Sequence, residues 1–247
     1  MYLKRKADAY LNAWKSDPNR SPLIIKGPRQ VGKTETIDYF AAHNYRSVVE
    51  INFVEEPKYR AITADGYGAD TIVRNISLID PAKKFIPGDT LIFFDEIQAH
   101  PDIATALKFF KIDGKYDVIC SGSMLGISYK QIESNSVGYK TDYEMRSLDF
   151  EEFLWARGYD EAVIESMFTH LCDATPFSEV EMNVFSTAFM DYCVLGGMPA
   201  VVASHIRTGT FEGTLQLQRQ LILDYQEDIR KYAQGLDQAR ILNVFNH

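Results

Sequence analysis

The sequence predicts an α/β fold in which a mainly parallel, doubly wound sheet is followed by a helical region. Short apolar segments alternate with segments of helical length up to about residue 148, which is typical of βαβ units. Two of these segments, TLIFF and YDVIC, are largely apolar without alternation, as in strands covered on both faces. Strand signals then fade, so we expect one domain over residues 1–149 and a helical domain over residues 150–247.

The predicted elements of the first domain alternate along the chain. An apolar stripe predicts a helix over 2–14, and the two prolines of SDPNRSP end it. Helices separated by strands are the pattern that favours parallel pairing with right-handed crossovers. The predicted strands cover 22–26, 47–53, 90–94, 116–120 and 139–148, and the predicted helices cover 32–42, 69–79 and 103–110.

The second domain is predicted to be helical throughout. Its predicted helices cover 151–156, 159–172, 178–195 and 210–234. The final residues, ARILNVFNH, are apolar and lack a clear glycine cap. Such an ending favours either packing against the body of the protein or a chain that continues into a further C-terminal region.

Composition narrows the class of protein. The 247 residues are 46% hydrophobic and 24% charged, as in a globular protein with a sizeable core. No apolar run approaches the roughly 18–20 residues of a membrane span, and the charged first residues do not resemble a signal peptide. Three cysteines without a CxxC spacing favour a reducing compartment, so we expect a cytoplasmic protein without membrane partners.

The net charge of −8 is confined to the second domain. Residues 1–150 contain 20 Lys and Arg and 20 Asp and Glu, whereas the remaining 97 residues contain 6 and 14. Neither part is basic, which disfavours direct nucleic-acid binding by this chain. Lys4, Arg5 and Lys6 could form a small basic patch, but a solvated helix face is the preferred interpretation. The acidic helices instead favour self-association or a protein partner.

The most specific motif is GPRQVGKT, which matches GxxxxGK[ST] between a predicted strand and a predicted helix. In such a loop the glycines let backbone N–H groups surround phosphate oxygens at a helix N-terminus. Lys33 would contact the β- and γ-phosphates, and the Thr34 hydroxyl would bind Mg²⁺. The sequence therefore predicts a site for ATP and Mg²⁺ whose loop consists of Gly27, Pro28, Arg29, Gln30, Val31, Gly32, Lys33 and Thr34.

Two carboxylates follow the apolar strand LIFF. Asp95 lies at the predicted carboxyl end of that strand, where it would hold Mg²⁺ mainly through water. Glu96 is next to it and could polarise a water molecule for attack on the γ-phosphate. After a phosphate loop this arrangement is the Walker B pattern, so we predict that Glu96 and Lys33 are catalytic.

A third candidate follows the strand DVIC. Ser121 and Ser123 lie where that strand ends, and ligands of open α/β sheets bind beyond the carboxyl ends of strands. Either hydroxyl could contact the γ-phosphate or the attacking water, and an ordinary strand-ending turn is the alternative. The five histidines have no paired-ligand spacing, which disfavours a zinc site.

Six segments together resemble a family of predicted prokaryotic ATPases of the AAA+ superfamily. The segments are GPRQVGKT, LIFFDEIQ, SGSMLG, SLDFEEFLWARG, YCVLGGMPAVV and ILDYQEDIRKYA, and the resemblance extends from about residue 2 to the end. It implies a P-loop NTPase core with a parallel five-stranded sheet in 51432 order, followed by an all-helical lid. It also implies that family members continue into a C-terminal domain absent from this chain.

The resemblance makes Pro199 of GGMP a candidate adenine contact, with a helix-breaking turn as the alternative. The chain departs from the family near residues 137–140, where VGYK replaces a frequent Gly-Arg. A transition-state arginine accelerates phosphoryl transfer, so slow hydrolysis is expected unless Lys140, Arg146 or a neighbouring subunit substitutes.

The sequence therefore leaves two candidate functions open. The first is an ATPase whose lid moves with nucleotide state. The alternative is a non-hydrolysing nucleotide-dependent switch that recruits a partner protein. A small-molecule kinase is disfavoured because basic residues are widely spread in the helical region.

Overall fold

The computed structural model describes residues 1–123, 138–232 and 238–246. The last three residues of SGSMLG, Val137, and residues 233–234 of the last predicted helix lie outside the described residues. The chain forms two compact units. The sheet unit comprises Ala7–Arg29 and Lys33–Met145, and the helical unit comprises Met1–Lys6, Gln30–Gly32 and Arg146–His247.

The sheet unit contains a five-stranded parallel sheet. The spatial order of its strands is β2-β3-β4-β1-β5, which confirms the predicted 51432 order read from the opposite edge. Leu23 and Ile24 of the first strand pair with Ile119 and Cys120 of the fourth, a register that aligns the carboxyl ends of these two strands. The strands are β1 (Leu23–Gly27), β2 (Ser47–Asn52), β3 (Thr90–Asp95), β4 (Asp117–Ser123) and β5 (Thr141–Glu144).

Helices and a buried core surround the central strands. All six residues of β3 are buried, which explains its apolar run without alternation. Phe94 lies with its ring centroid 5.7 Å from Phe53 and 6.3 Å from Phe110. The helices are α1 (Lys6–Ser16), α2 (Lys33–Asn44), α3 (Ala69–Ile79) and α4 (Ile103–Asp113), with 3₁₀ turns over Pro57–Thr63 and Ile97–Ala99.

The described part of the helical unit consists of helices joined by short connections. Two of them begin with a capping box: Asp149 with Glu152, and Ser178 with Glu181. In each, the cap side chain accepts a backbone N–H and the glutamate accepts the cap's own N–H, which fixes where the helix starts. The helices are α5 (Phe150–Ala156), α6 (Glu161–Asp173), α7 (Glu179–Leu195), α8 (Pro199–Thr208), α9 (Thr214–Tyr232) and α10 (Gln238–Asn246).

Two hydrophobic clusters hold these helices together. One gathers residues from α5, α7, α8 and α9, and the other joins α5 to α6 and α7. Tyr192 reinforces the first, since its hydroxyl donates to the carbonyl of Leu148 at 2.9 Å. The first cluster contains Leu3, Leu148, Phe153, Leu195, Val201, Val202 and Leu221, and the second contains Leu154, Ile164, Phe185 and Ala188.

Three local expectations differ from the structure. The first helix begins at Lys6 rather than residue 2, and Arg5, expected on a solvated helix face, is only 5% exposed. Helix α8 was not predicted, because its first residue is proline and glycines precede it. Proline suits the first position of a helix, where its missing N–H would have no helical partner.

Within the described residues, no helix has the length and apolarity needed to cross a membrane.

Candidate nucleotide site

The phosphate loop begins where β1 ends. A Cβ placed on Gly27 would lie 2.0 Å from the carbonyl oxygen of Met145, so only glycine allows this close approach. Two later loop residues have left-handed backbone angles, Gln30 with φ 63° and Gly32 with φ 89°. The loop therefore turns sharply before α2 begins at Lys33, with that helix's N-terminus following directly.

Lys33 is a loop cation that belongs to the sheet unit. Its ammonium donates to the carbonyl oxygens of Gly27 at 3.0 Å and Pro28 at 2.7 Å. Burial lowers the pKa of Lys33, and the nearby Arg29 charge lowers it further, whereas Glu96 and Asp95 raise it. The same lysine is thus within electrostatic range of both predicted Walker B carboxylates.

Thr34 and Asp95 lie in direct contact. The Thr34 hydroxyl donates to Asp95 Oδ2 at 3.2 Å, although the two residues are 61 positions apart in sequence. Asp95 is 5% exposed and also accepts the backbone N–H of Glu96 at 2.9 Å. The fold therefore brings together the two side chains that the sequence predicts to bind magnesium.

Glu96 follows β3 in an unusual backbone conformation. Its φ of 54° and ψ of 46° are left-handed, which costs about 1–3 kcal/mol for a non-glycine residue and persists only where surrounding contacts impose it. The Gln98 side-chain amide donates to Glu96 Oε2. Gln98 also packs against β4, since a Cβ on Gly122 would lie 2.8 Å from Gln98 Oε1. Sequence reasoning missed Gln98, which orients the predicted catalytic glutamate.

The two candidate serines of β4 have different surroundings. The Ser121 hydroxyl donates to Asp95 Oδ1, so it supports a predicted magnesium ligand. The Ser123 hydroxyl is buried and has no hydrogen-bond partner among the described residues. A buried hydroxyl without a partner is costly, which makes Ser123 the better candidate to contact a ligand.

Two further carboxylates near Asp95 were not singled out from the sequence. Burial raises the pKa of Asp38 on α2, and the charges of Asp95 and Glu35 add to that effect. Burial likewise raises the pKa of Glu50 on β2, with Asp38 and Asp95 contributing. A pattern of single acids on separate elements gives no sequence signal, which is why they were missed.

The helical unit contains the middle of the loop and its neighbours. The Gln30 side-chain amide donates to Asp224 on α9 at 2.8 Å. A Cβ placed on Gly32 would lie 3.6 Å from Pro199 Cγ and 3.6 Å from Arg5 Nη1. Pro199 therefore lies against a phosphate-loop glycine, as the first residue of α8 rather than in an isolated turn. Arg5 donates to the Val31 carbonyl at 2.7 Å, a contact that sequence reasoning missed.

The donor set fits magnesium bound together with a nucleotide. Thr34 and Asp95 offer one hydroxyl and one carboxylate, and Mg²⁺ keeps several waters and takes phosphate oxygens as further ligands. Among the described residues, no group of three or more His, Cys, Asp or Glu side chains could hold a metal by itself. These residues therefore do not fit a metal ion that is held entirely by protein side chains.

Comparison with protein families gives two matches. A family model described as "AAA domain" matches residues 19–154, more than half of the chain. A second model, described as "Domain of unknown function (DUF8612)", matches residues 186–247. No curated protein matches the chain. The first match includes the phosphate loop, both carboxylates at the end of β3 and both serines of β4.

Two solved structures are among those that match the chain. PCH-2 of C. elegans is 11% identical with a TM-score of 0.37, and the match covers 70% of this chain and 48% of that one. Domain III of the replication initiation protein DnaA from Thermotoga maritima is 14% identical with a TM-score of 0.47, covering 89% and 94%. The chain thus spans about half the length of PCH-2.

Proposed function

Because the chain belongs to the AAA-domain family, we propose that it binds ATP with magnesium and hydrolyses it slowly. Nucleotide state would be coupled to movement of the helical lid. The observation that carries this proposal is the contact between Thr34 and Asp95 next to the partly buried ammonium of Lys33. Those three groups match the chemistry of a magnesium–triphosphate: a hydroxyl and a carboxylate for the metal, and a cation for the phosphates.

Each residue of the site has a separate role in this proposal. The loop N–H groups and Lys33 bind the β- and γ-phosphates, with Pro199 against the loop as a candidate adenine contact. Thr34 and Asp95 hold magnesium, which when bound neutralises charge on the phosphate oxygens. Ser121 orients Asp95, and Ser123 contacts the γ-phosphate or the attacking water.

Glu96 acts as the base in this proposal. Its carboxylate accepts a proton from the water that attacks the γ-phosphate, and Gln98 keeps the carboxylate in place. Hydrolysis is slow because the chain lacks the family's frequent Gly-Arg. Lys140 is a weak substitute, since its ammonium contacts both oxygens of Asp142 at 2.6 Å. A neighbouring subunit or Arg146 is the other candidate source of positive charge.

Phosphate release from Mg-ATP tests this function. The wild-type chain, Glu96→Gln and the exposed control Glu212→Gln are compared over a range of protein concentrations, with ATP binding measured by calorimetry. We expect Glu96→Gln to bind ATP and to lose release, while Glu212→Gln matches the wild type. A rate per protomer that rises with concentration would indicate a site completed by assembly. Equal release from wild type and Glu96→Gln would exclude Glu96 as the base.

The acidic helices favour a second function, a nucleotide-dependent switch that recruits a basic partner. Residues 161–195 contain six Asp and Glu and no Lys or Arg. A groove of about 470 Å³ at the end of α6 is lined mainly by apolar side chains, with His170 and Thr175 beside them. One of the apolar side chains is Leu171, which is 77% exposed. An apolar groove on a helix pair whose residues 161–195 contain acidic side chains and no Lys or Arg suits an amphipathic helix with basic residues.

Peptide binding and proteolysis separate this switch from an ATPase. A labelled Leu/Lys amphipathic helix should bind more tightly than a Leu/Glu helix of equal length, and Leu171→Ser should weaken binding. The matched control is Leu78→Ser, which changes an exposed leucine of α3. The switch also requires ATP binding without phosphate release and a protease pattern that changes with nucleotide. Equal binding of both peptides would contradict the partner assignment.

A further inference from the structure

Arg5 is a buried cation in the helical unit with three polar contacts. Its side chain is 5% exposed, although it lies between two exposed lysines in sequence. Nη1 donates to the carbonyl of Val31 at 2.7 Å, and Nη2 donates to the carbonyl of Arg146 at 2.6 Å. Nε lies 3.1 Å from Glu152 Oε1. The guanidinium therefore contacts the phosphate loop, the segment before α5 and α5 itself.

The contact with Val31 determines the direction of a phosphate-binding group. The peptide that joins Val31 to Gly32 is planar and trans, so its carbonyl and its N–H point in opposite directions. Holding the Val31 oxygen on Arg5 therefore makes the Gly32 N–H point away from Arg5, in the opposite direction within that peptide plane. The residues on either side of Val31, Gln30 and Gly32, both have a positive φ angle. The orientation of the Val31–Gly32 peptide therefore needs support from outside the loop.

We propose that Arg5 is a positioning residue that directs the Gly32 N–H toward the phosphates of a bound nucleotide. The inference rests on the proposed nucleotide binding. A charged donor suits this task because its hydrogen bonds are shorter and stronger than those of neutral donors. Glu152 completes the arrangement, since a buried guanidinium needs a compensating charge.

Glu152 also connects this support to helix α5. Its carboxylate accepts the backbone N–H of Lys6 at 2.7 Å and that of Asp149 at 3.2 Å. The second of these is half of the capping box that starts α5. A movement at the start of α5 would therefore be transmitted to the Val31–Gly32 peptide through the side chains of Glu152 and Arg5.

Lysine could not replace arginine in this role. The three partners of Arg5 lie on different elements, and the planar guanidinium reaches them with three separate nitrogens. A lysine keeps the charge opposite Glu152 but presents a single ammonium. Arg5→Lys should therefore preserve the folded unit while releasing the Val31 carbonyl.

The test compares the affinity for ADP with that for AMP, by calorimetry on the full chain. The loop's N–H groups contact the β-phosphate, which AMP lacks, so the wild type should bind ADP more tightly. Arg5→Lys should weaken ADP binding about tenfold or more and change AMP binding less than about twofold. The matched control is Arg157→Lys, whose guanidinium pairs with Asp191 on α7; it should leave both affinities unchanged.

A second variant guards against misfolding. In Arg5→Met with Glu152→Met both charges are removed together, and such apolar replacements are often tolerated. It should melt near the wild-type temperature and show the same loss of preference for ADP. If both variants keep the wild-type ratio of ADP to AMP affinity, Arg5 does not position the loop. A parallel loss of ADP and AMP binding together with a lower melting temperature would assign Arg5 a structural role only.

The wild-type affinities for ADP and AMP test the proposed nucleotide binding separately from the role of Arg5. ADP binding that is tighter than AMP binding supports the proposed function whatever the variants do. A wild-type chain that binds neither would overturn the proposed function, and the role of Arg5 with it.

Discussion

Strand β3 and the helix pair α6–α7 differ most in how much of their apolar surface is buried. Every residue of β3 is buried, and Phe94 is packed between aromatic rings. In α6 the buried residue is Ile164, and in α7 the buried residues are Phe185, Ala188 and Leu195. Apolar burial is the main favourable contribution to folding, so the sheet should resist unfolding more than this helix pair.

This contrast separates the two tasks that the chain is proposed to perform. The carboxyl ends of the parallel strands hold the proposed catalytic side chains Glu96, Ser121 and Ser123 on elements that packing keeps rigid. The α6–α7 pair leaves side chains such as Leu171 and Val180 more than 70% exposed. Low local stability and exposed apolar surface are properties expected of a region that responds to ligands or partners.

The largest predicted effect is on the stability of the sheet. Phe94→Ala should lower the free energy of unfolding by about 3–5 kcal/mol, because it leaves a cavity between Phe53 and Phe110. The matched change in the helix pair is Phe189→Ala, at a residue 50% exposed, and should cost less than about 1 kcal/mol. Urea denaturation followed by circular dichroism measures both. Similar losses in the two variants would refute the contrast in burial.

A loss of nucleotide affinity without loss of stability should follow from changing the loop. Lys33→Ala should weaken ATP binding at least about a hundredfold, roughly 2.7 kcal/mol, since the ammonium is the loop's phosphate-binding cation. The free energy of unfolding should change far less than in Phe94→Ala. Calorimetry with Mg-ATP provides the affinity, with the exposed Lys58→Ala as control. Unchanged ATP affinity in Lys33→Ala would remove the phosphate loop from the proposal.

A smaller effect concerns pH and again belongs to the sheet unit. Burial lowers the pKa of His100, as does the Arg60 charge, while Asp102 opposes them. The folded chain therefore binds this proton less readily than the unfolded chain, whose histidine titrates near pH 6.5. Stability is full above that pH and falls as the pH drops below it. The expected loss is about 1.4 kcal/mol for each unit by which the pKa is lowered.

Urea titrations at pH 7 and at about pH 5 measure this dependence. His100→Gln should have a shallower decline than the wild type, because it removes the group whose proton affinity changes on folding. The exposed His43→Gln serves as control and should decline like the wild type. If all three proteins decline alike, His100 does not account for the acid sensitivity.

The smallest predicted effect is at the surface of α6. Leu171→Ser should change the free energy of unfolding by less than about 0.5 kcal/mol, because the side chain is 77% exposed. The same urea titration measures it. A loss of several kcal/mol would mean that this surface is covered in solution, and the helix pair would then resemble the sheet in burial.

Much of the fold could be predicted because its signals are local. The strands predicted at 90–94 and 47–53 appear within a residue or two of their predicted bounds. The first is an uninterrupted apolar run, which is typical of a covered strand, whereas burial alternates along part of the second. The GPRQVGKT loop was recognisable because glycine and lysine spacing reflects backbone geometry within eight residues. Helix α8 was not predicted because a proline preceded by glycines also fits a turn, although proline begins helices well.

The candidate site was predictable only in part. Lys33, Thr34, Asp95 and Glu96 belong to motifs, and their types in that order indicate nucleotide chemistry. The preference for Ser123 over Ser121 as the proposed ligand contact depends on the hydrogen bond of Ser121 to Asp95 and on the buried Ser123 hydroxyl, which has no partner among the described residues. Asp38 and Glu50 lie on separate elements, so no spacing in the sequence relates them to Asp95.

The amino-acid sequence by itself determined the class of fold, the phosphate loop and the uneven charge of the two parts of the chain. These features follow from residue types and short spacings, which determine the local conformation of the backbone. The tertiary structure was needed to show that Arg5, one of three adjacent cations in the sequence, is buried against the loop. The difference has a physical reason: burial and pairing depend on residues far apart in sequence, and Arg5 meets Val31 and Glu152 only after the chain has folded.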